Sequence, residues 1–168
     1  MYKWKNKPPL IYLDDEYYFV TVKTFYNKPI FANQKYSQIF KRILKFLESR
    51  GDFKISAGVL LPDHFHLLLM PLKKNVSEIM HDLKSYTSQK INESQRRGIL
   101  VSSRGNGEAR CLTYNKYVKL PPVWQKSFHY HIIGNDWDFE NHYNYIIWNP
   151  EKHGYINDSK NWPWLWQK

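Results

Sequence analysis

Three observations predict an α+β chain built on an antiparallel sheet. Short segments are rich in aromatic and β-branched residues, two longer segments between them carry apolar residues at helical spacing, and a capped segment near the C-terminus carries a third helical stripe. At 168 residues the chain is long enough for one compact domain with a real core and short for two.

Residues 17–23, with Tyr17, Tyr18, Phe19, Val20 and Val22, read as a first strand. Residues 34–50 carry Tyr36, Ile39, Phe40, Ile43, Leu44 and Leu47 at helical spacing and stop before Gly51, which predicts a helix. Residues 53–60 make a second strand, and Pro62-Asp63 turns the chain into a third, closing a hairpin. Asn75 or Ser77 caps a second helix that carries Ile79, Met80, Leu83 and Ile91 and runs to about Arg97. A fourth strand covers roughly residues 127–133. Asn135 then caps a last helix, with Asp136 and Asp138 in the first turn, where the helix dipole favours acids. Phe139, Tyr143 and Ile146 form its apolar stripe, and Pro150 is expected to end it, because its missing N–H disfavours continuation. Strand, helix, strand, strand, helix, strand is the ferredoxin-like βαββαβ order, here with an added C-terminal helix.

The whole chain, 1–168, is read as one domain. Residues 98–122 are its least patterned stretch, a basic loop insertion with Gly98, Gly105, Gly107, Arg104 and Arg110, which reads either as a DNA-contacting flap or as a plain surface insertion. Residues 151–168 form a C-terminal tail whose Trp162, Trp164 and Trp166 either stack bases or pack back onto the domain.

Composition points to nucleic acid. The chain holds 25 Lys+Arg against 15 Asp+Glu, a formal charge of +10, as expected of a protein that meets phosphates. Aromatic residues make up 17%, and aromatic faces are what unpaired bases stack on. No segment approaches the ~20 apolar residues of a membrane span, and the basic N-terminus lacks the apolar core of a signal peptide. The single cysteine, Cys111, excludes an intramolecular disulfide and fits a reducing cytoplasm, where a nucleic-acid partner would make the protein nucleoid-associated.

The strongest motif lies in the third strand, Leu61-Pro62-Asp63-His64-Phe65-His66. Side chains alternate along a strand, so His64 and His66 emerge on one face, a ready pair of metal ligands that oxygen donors must complete. On the last helix Tyr145 and Asn149 lie four apart and share a face, read as the one opposite the apolar stripe, and Asp138 and His142 fall near the same side. His129 and His131 form a second pair that competes for a metal, and Tyr86 and Tyr130 are further tyrosines set among polar or histidine neighbours. Lys84, Tyr86, Ser88, Lys90, Arg96 and Arg97 on the second helix, with Arg104 in the loop and Lys126 before the fourth strand, are candidate DNA contacts; a row of cations is otherwise simply a solvated face.

Together, the Leu61–His66 run, the Val123–Ile133 segment, Asp138-Phe139 through Tyr145-Ile146 with Asn149-Pro150-Glu151-Lys152-His153-Gly154, and Trp162-Pro163-Trp164 resemble the single-tyrosine HUH endonucleases, most closely the REP-associated tyrosine transposases. The resemblance spans nearly the whole chain in the family's order. It implies a metal-dependent single-stranded DNA endonuclease that nicks and rejoins DNA beside a hairpin through a covalent 5′-phosphotyrosine. Carried over one at a time, the family roles assign Tyr145 as nucleophile and His64, His66 and Asn149 as ligands of Mg²⁺ or Mn²⁺; the last position is often Gln in related transposases. The implied partner is a DNA hairpin rather than a small molecule, bound by a monomer or homodimer. Two alternatives stay open: a silent hairpin-binding protein of the same fold, and an initiator-type nickase of replication or plasmid transfer.

Overall fold

The computed structural model describes residues 16–98 and 120–168. Arg104, the side chain of Arg97 and nearly all of the 98–122 insertion lie outside the described residues. Within them run β1 (Tyr18–Lys23), α1 (Gln34–Ser49), β2 (Phe53–Leu60), β3 (His64–Pro71), α2 (Val76–Gly98), β4 (His129–Ile132), α3 (Asp136–Lys152) and β5 (Leu165–Gln167). The sheet order is β4-β1-β3-β2-β5, every neighbouring pair antiparallel. The first four strands therefore have the ferredoxin-like arrangement, with β5 added beside β2.

Both sheet faces are covered. Apolar residues of α1 and α2, including Phe40, Leu44, Leu47, Ile79, Met80 and Leu83, pack on Val20, Val22, Phe65, Leu67 and Leu69 of one face. On the other, Ile146 of α3 meets Ala57, Val59 and Leu68, with Phe19, Phe139 and Tyr143 half-buried against them. A register shift between Ile55 and Ala57 explains how β2 serves both. Phe53 and Ile55 belong to the first core and Ala57 and Val59 to the second, the face change that an extra residue in a bulged strand produces.

The helix starts follow side-chain capping. Asn33 accepts from the Lys35 N–H, and Asn75, rather than Ser77, caps α2 through a reciprocal box with Glu78. Asn135 accepts from the Asp138 N–H. One expected helix end is corrected. Pro150 lies inside α3, which runs on to Lys152. The stop is Gly154, at φ +70°, with the Tyr155 N–H on the Pro150 carbonyl (2.9 Å) and the Gly154 N–H on the Glu151 carbonyl (2.8 Å). That pair of bonds is the Schellman ending, and it outweighs the one amide that proline removes.

The tail packs back. Trp162 Nε1 donates to the Leu60 carbonyl at 2.9 Å, and β5 pairs with residues 57–59. Gly58 leaves room for this, since a Cβ there would lie 2.6 Å from Leu67 Cδ2 and 3.3 Å from the Trp166 ring. No helix among the described residues is long and apolar enough to cross a membrane.

Candidate active site

The site forms where α3 lies over β1 and β3. The register sets Thr21 opposite His66 and Lys23 opposite His64, so both imidazoles rise from the centre of the sheet on the α3 face. They are 4.9 Å apart between ring centres, nearly perpendicular, and both buried. His64 Nδ1 lies 2.7 Å from Asp63 Oδ1 and His66 Nδ1 lies 2.8 Å from Thr21 Oγ1. Partners of this kind fix ring orientation and tautomer, and donation from Nδ1 leaves the Nε2 lone pair free to bind. His66 Nε2 is fully buried with no hydrogen-bond partner.

Burial, ahead of the neighbouring His64, His153, Lys23 and Lys152, lowers the His66 pKa from 6.5 to about 3. Burial also lowers that of His64, although Asp63 opposes it. Both rings are thus neutral near pH 7, the form a metal binds.

From α3, the Tyr145 ring meets His66 edge-on at 5.2 Å and Phe19 at 5.8 Å, while Phe19 stacks on His66 at 5.3 Å. Lys152 Nζ stands 4.8 Å over the Tyr145 ring. Asn149, one turn on, is wholly buried, and neither of its amide atoms has a hydrogen-bond partner. The expectation that phenol and amide share a face opposite the core is thereby corrected: Tyr145 is 37% exposed, whereas Asn149 is buried with Ile146 and Pro150. A buried primary amide with no partner is costly. Its Oδ1, like His66 Nε2, offers a lone pair of the kind a bound cation satisfies.

Sequence reasoning missed His153, whose ring lies 5.5 Å from His64 and stacks with Tyr155 at 6.0 Å. It also missed Lys152 and the supporting Asp63 and Thr21. His153 stood in the Asn149–Gly154 run, but a helix ending at Pro150 would not have carried it to the histidine pair.

Among the described residues, candidate DNA contacts line two grooves. Lys84, Ser88 and Lys126 line a groove of about 390 Å³ with Asn92 and Trp124, and Lys84 Nζ donates to the Lys126 carbonyl. Burial lowers the Lys84 pKa. Lys90 pairs with Glu93 and lines a different groove with Lys35 and Arg42; Tyr86 is exposed. Arg96 lies one turn beyond Asn92 on α2. All of these sit on or beside α2, across the sheet from Tyr145. The competing His129-x-His131 pair is not brought together as a site; instead His131 joins Asp138 and His142.

Residues 13–101 match the family described as Transposase IS200 like. The chain is 31% identical over 115 residues to a Haemophilus influenzae protein assigned to the REP-associated tyrosine transposases, covering 67% of this chain and 57% of that relative's length. It is 26% identical over 152 residues to the REP-associated tyrosine transposase of Escherichia coli, covering 90% and 76% of the two chains. Its fold matches the structure of a REP-associated tyrosine transposase bound to a REP hairpin, with a TM-score of 0.71, 22% identity and coverage of 95% and 81%.

Proposed function

Because the chain belongs to the IS200-like transposase family, we propose that it cuts and rejoins single-stranded DNA beside a hairpin, with Tyr145 as the nucleophile. The observation that carries this reading is the Tyr145 ring set 5.2 Å from the buried, neutral His66. The Tyr145 hydroxyl loses its proton as its oxygen bonds to phosphorus. The bond from phosphorus to the 3′-oxygen breaks, and that oxygen takes up a proton. A 5′-phosphotyrosine and a free 3′-hydroxyl result, and attack by a 3′-hydroxyl reverses the step without an outside energy source.

The Lys152 ammonium, 4.8 Å over the Tyr145 ring, is a cation placed to offset the negative charge that builds up in the attack. His64, His66 and Asn149 fit a divalent cation of the Mg²⁺ or Mn²⁺ class, since His66 Nε2 and the Asn149 amide are buried without partners. When bound, such an ion neutralises charge on the scissile phosphate and orients it. Phe19 holds the His66 and Tyr145 rings in place from beneath. The +10 charge supports a phosphate-rich partner, and the solved relative bound to a REP hairpin supports a hairpin as its form.

The test is cleavage of an end-labelled DNA hairpin with single-stranded flanks in Mn²⁺. Wild type should form a protein–DNA adduct that survives denaturation, and Tyr145→Phe should form none while remaining folded. An adduct that persists in Tyr145→Phe and maps to Tyr86 or Tyr130 would overturn the assignment.

A further inference from the structure

Across Phe19 from the His64–His66 pair lies a second cluster of metal-binding side chains that the proposed reaction does not use. We propose that His131, Asp138 and His142 bind a divalent transition ion of the Zn²⁺ class, which fastens edge strand β4 to the first turns of α3.

The register brings the parts together. His131 pairs with Phe19 across β4 and β1, and Asp138 and His142 are one turn apart on α3. His131 Nε2 lies 2.8 Å from Asp138 Oδ2, and His142 Nδ1 lies 3.0 Å from Asp138 Oδ1. One donor atom from each of the three residues falls within 4.8 Å of the others. The two imidazoles stack 4.8 Å apart at 22°. Zinc bonds of 2.0–2.2 Å in a tetrahedron set neighbouring donors roughly 3.3 Å apart; each imidazole already stands near that distance from one of the two Asp138 oxygens, and the three donors, one per residue, lie within 4.8 Å of one another.

The carboxylate is already prepared for a cation. The Gly134 N–H donates to Asp138 Oδ2 at 3.0 Å, orienting it as an outer partner orients a ligand. That bond, then His131, holds the Asp138 carboxyl below its usual range, so it is ionised at neutral pH. Two nitrogens and one carboxylate suit zinc better than Mg²⁺, and three protein donors leave a fourth position for water. The competing explanation is a carboxylate clasped by two imidazole N–H groups, and the Asp138 carbonyl 2.9 Å from His142 Nδ1 offers that nitrogen a partner without metal. The two sites are distinct, because the Phe19 ring touches both His66, at 5.3 Å, and His142, at 4.6 Å.

The experiment measures Zn²⁺ uptake by calorimetry, and Co²⁺ binding by visible absorption, on the full chain without DNA. Wild type is compared with His64→Ala/His66→Ala, His131→Ala/His142→Ala and Asp138→Asn. The variant lacking His64 and His66 should still bind one equivalent, with intense tetrahedral Co²⁺ bands, and Zn²⁺ should raise its melting temperature. Wild type should bind one equivalent more than His131→Ala/His142→Ala, a difference that decides the matter even if the first variant fails to fold. Asp138→Asn should lose the Co²⁺ bands of this site. Equal uptake by wild type and His131→Ala/His142→Ala would overturn the proposal and leave a hydrogen-bonded clasp only. Because no readout uses DNA cleavage, its failure is separate from any failure of the Tyr145 assignment.

Discussion

Lowering the pH from 7.5 to 5.0 in excess chelator should destabilise this protein through its buried histidines, and His66 isolates the effect. The residue is 4% exposed, and burial holds its folded pKa at about 3 against 6.5 for an ordinary imidazole. The folded pKa is depressed, so between pH 6.5 and pH 3 the unfolded chain takes up a proton that the folded chain refuses. The stability contributed by a neutral His66 is complete above pH 6.5 and drains away as the pH falls through that window. At pH 5.0 the unfolded imidazole is about 1.5 pH units below its pKa, and at ~1.4 kcal/mol per unit the loss is about 2 kcal/mol. His64 shifts in the same direction and adds to the wild-type total. Ordinary carboxylates titrate near pH 4 and contribute little over this range. His66→Gln removes the titrating ring, so it should lose about 2 kcal/mol less than wild type. Urea unfolding of both proteins at the two pH values measures the difference. Equal losses in the two proteins, or a His66 ring seen by NMR to titrate near pH 6.5, would refute the argument.

Gly154→Ala should cost about 1–2 kcal/mol in urea unfolding. Its φ is +70° and nothing lies within 4 Å of the added Cβ, so the whole effect is backbone strain at the end of α3. Asn149→Ala should raise the Mn²⁺ concentration for half-maximal DNA cleavage while leaving the melting temperature nearly unchanged, because neither amide atom gives up a protein hydrogen bond. An unchanged metal requirement with a lowered melting temperature would give Asn149 a structural role instead. Affinity for a DNA hairpin should fall on the order of 10²–10⁴-fold between 50 and 200 mM salt; salt-independent binding, measured by fluorescence anisotropy, would contradict a phosphate-contacting surface.

Local signals carried much of the fold. The alternation of β2 and β3 and the helical stripes of α1 and α3 depend on neighbours two to four residues apart, and a single sequence displays those. The common face of His64 and His66 was legible for the same reason. What stayed hidden depended on distant partners. The pairing of β5 with β2 rests on the fit of Trp166 against Gly58, which no pattern in the tail encodes. The burial of Asn149 depends on how α3 crosses the sheet, and amphipathic spacing alone set that amide on the wrong side. Pro150 showed a real local preference that the Gly154 ending overrode, and with it went His153. The cluster at His131 was visible only in halves, as a His-x-His pair on one element and an Asp–His pair on the next.

The sheet order has a consequence for how the chain acquires its chemistry. Both histidines ride on β3, joined to β2 by a turn of three residues, Leu61 to Asp63. Such a hairpin closes locally, with little loop entropy to overcome. Tyr145 comes from the far half of the chain, and α3 reaches the histidines only once β4 has found β1, the pairing that joins the most distant parts of the chain in the sheet. Non-local closures of this kind form late and slowly. A nascent or partly opened chain therefore holds the histidine hairpin without the phenol beside it, and the two halves of the proposed nuclease coexist only in the finished fold.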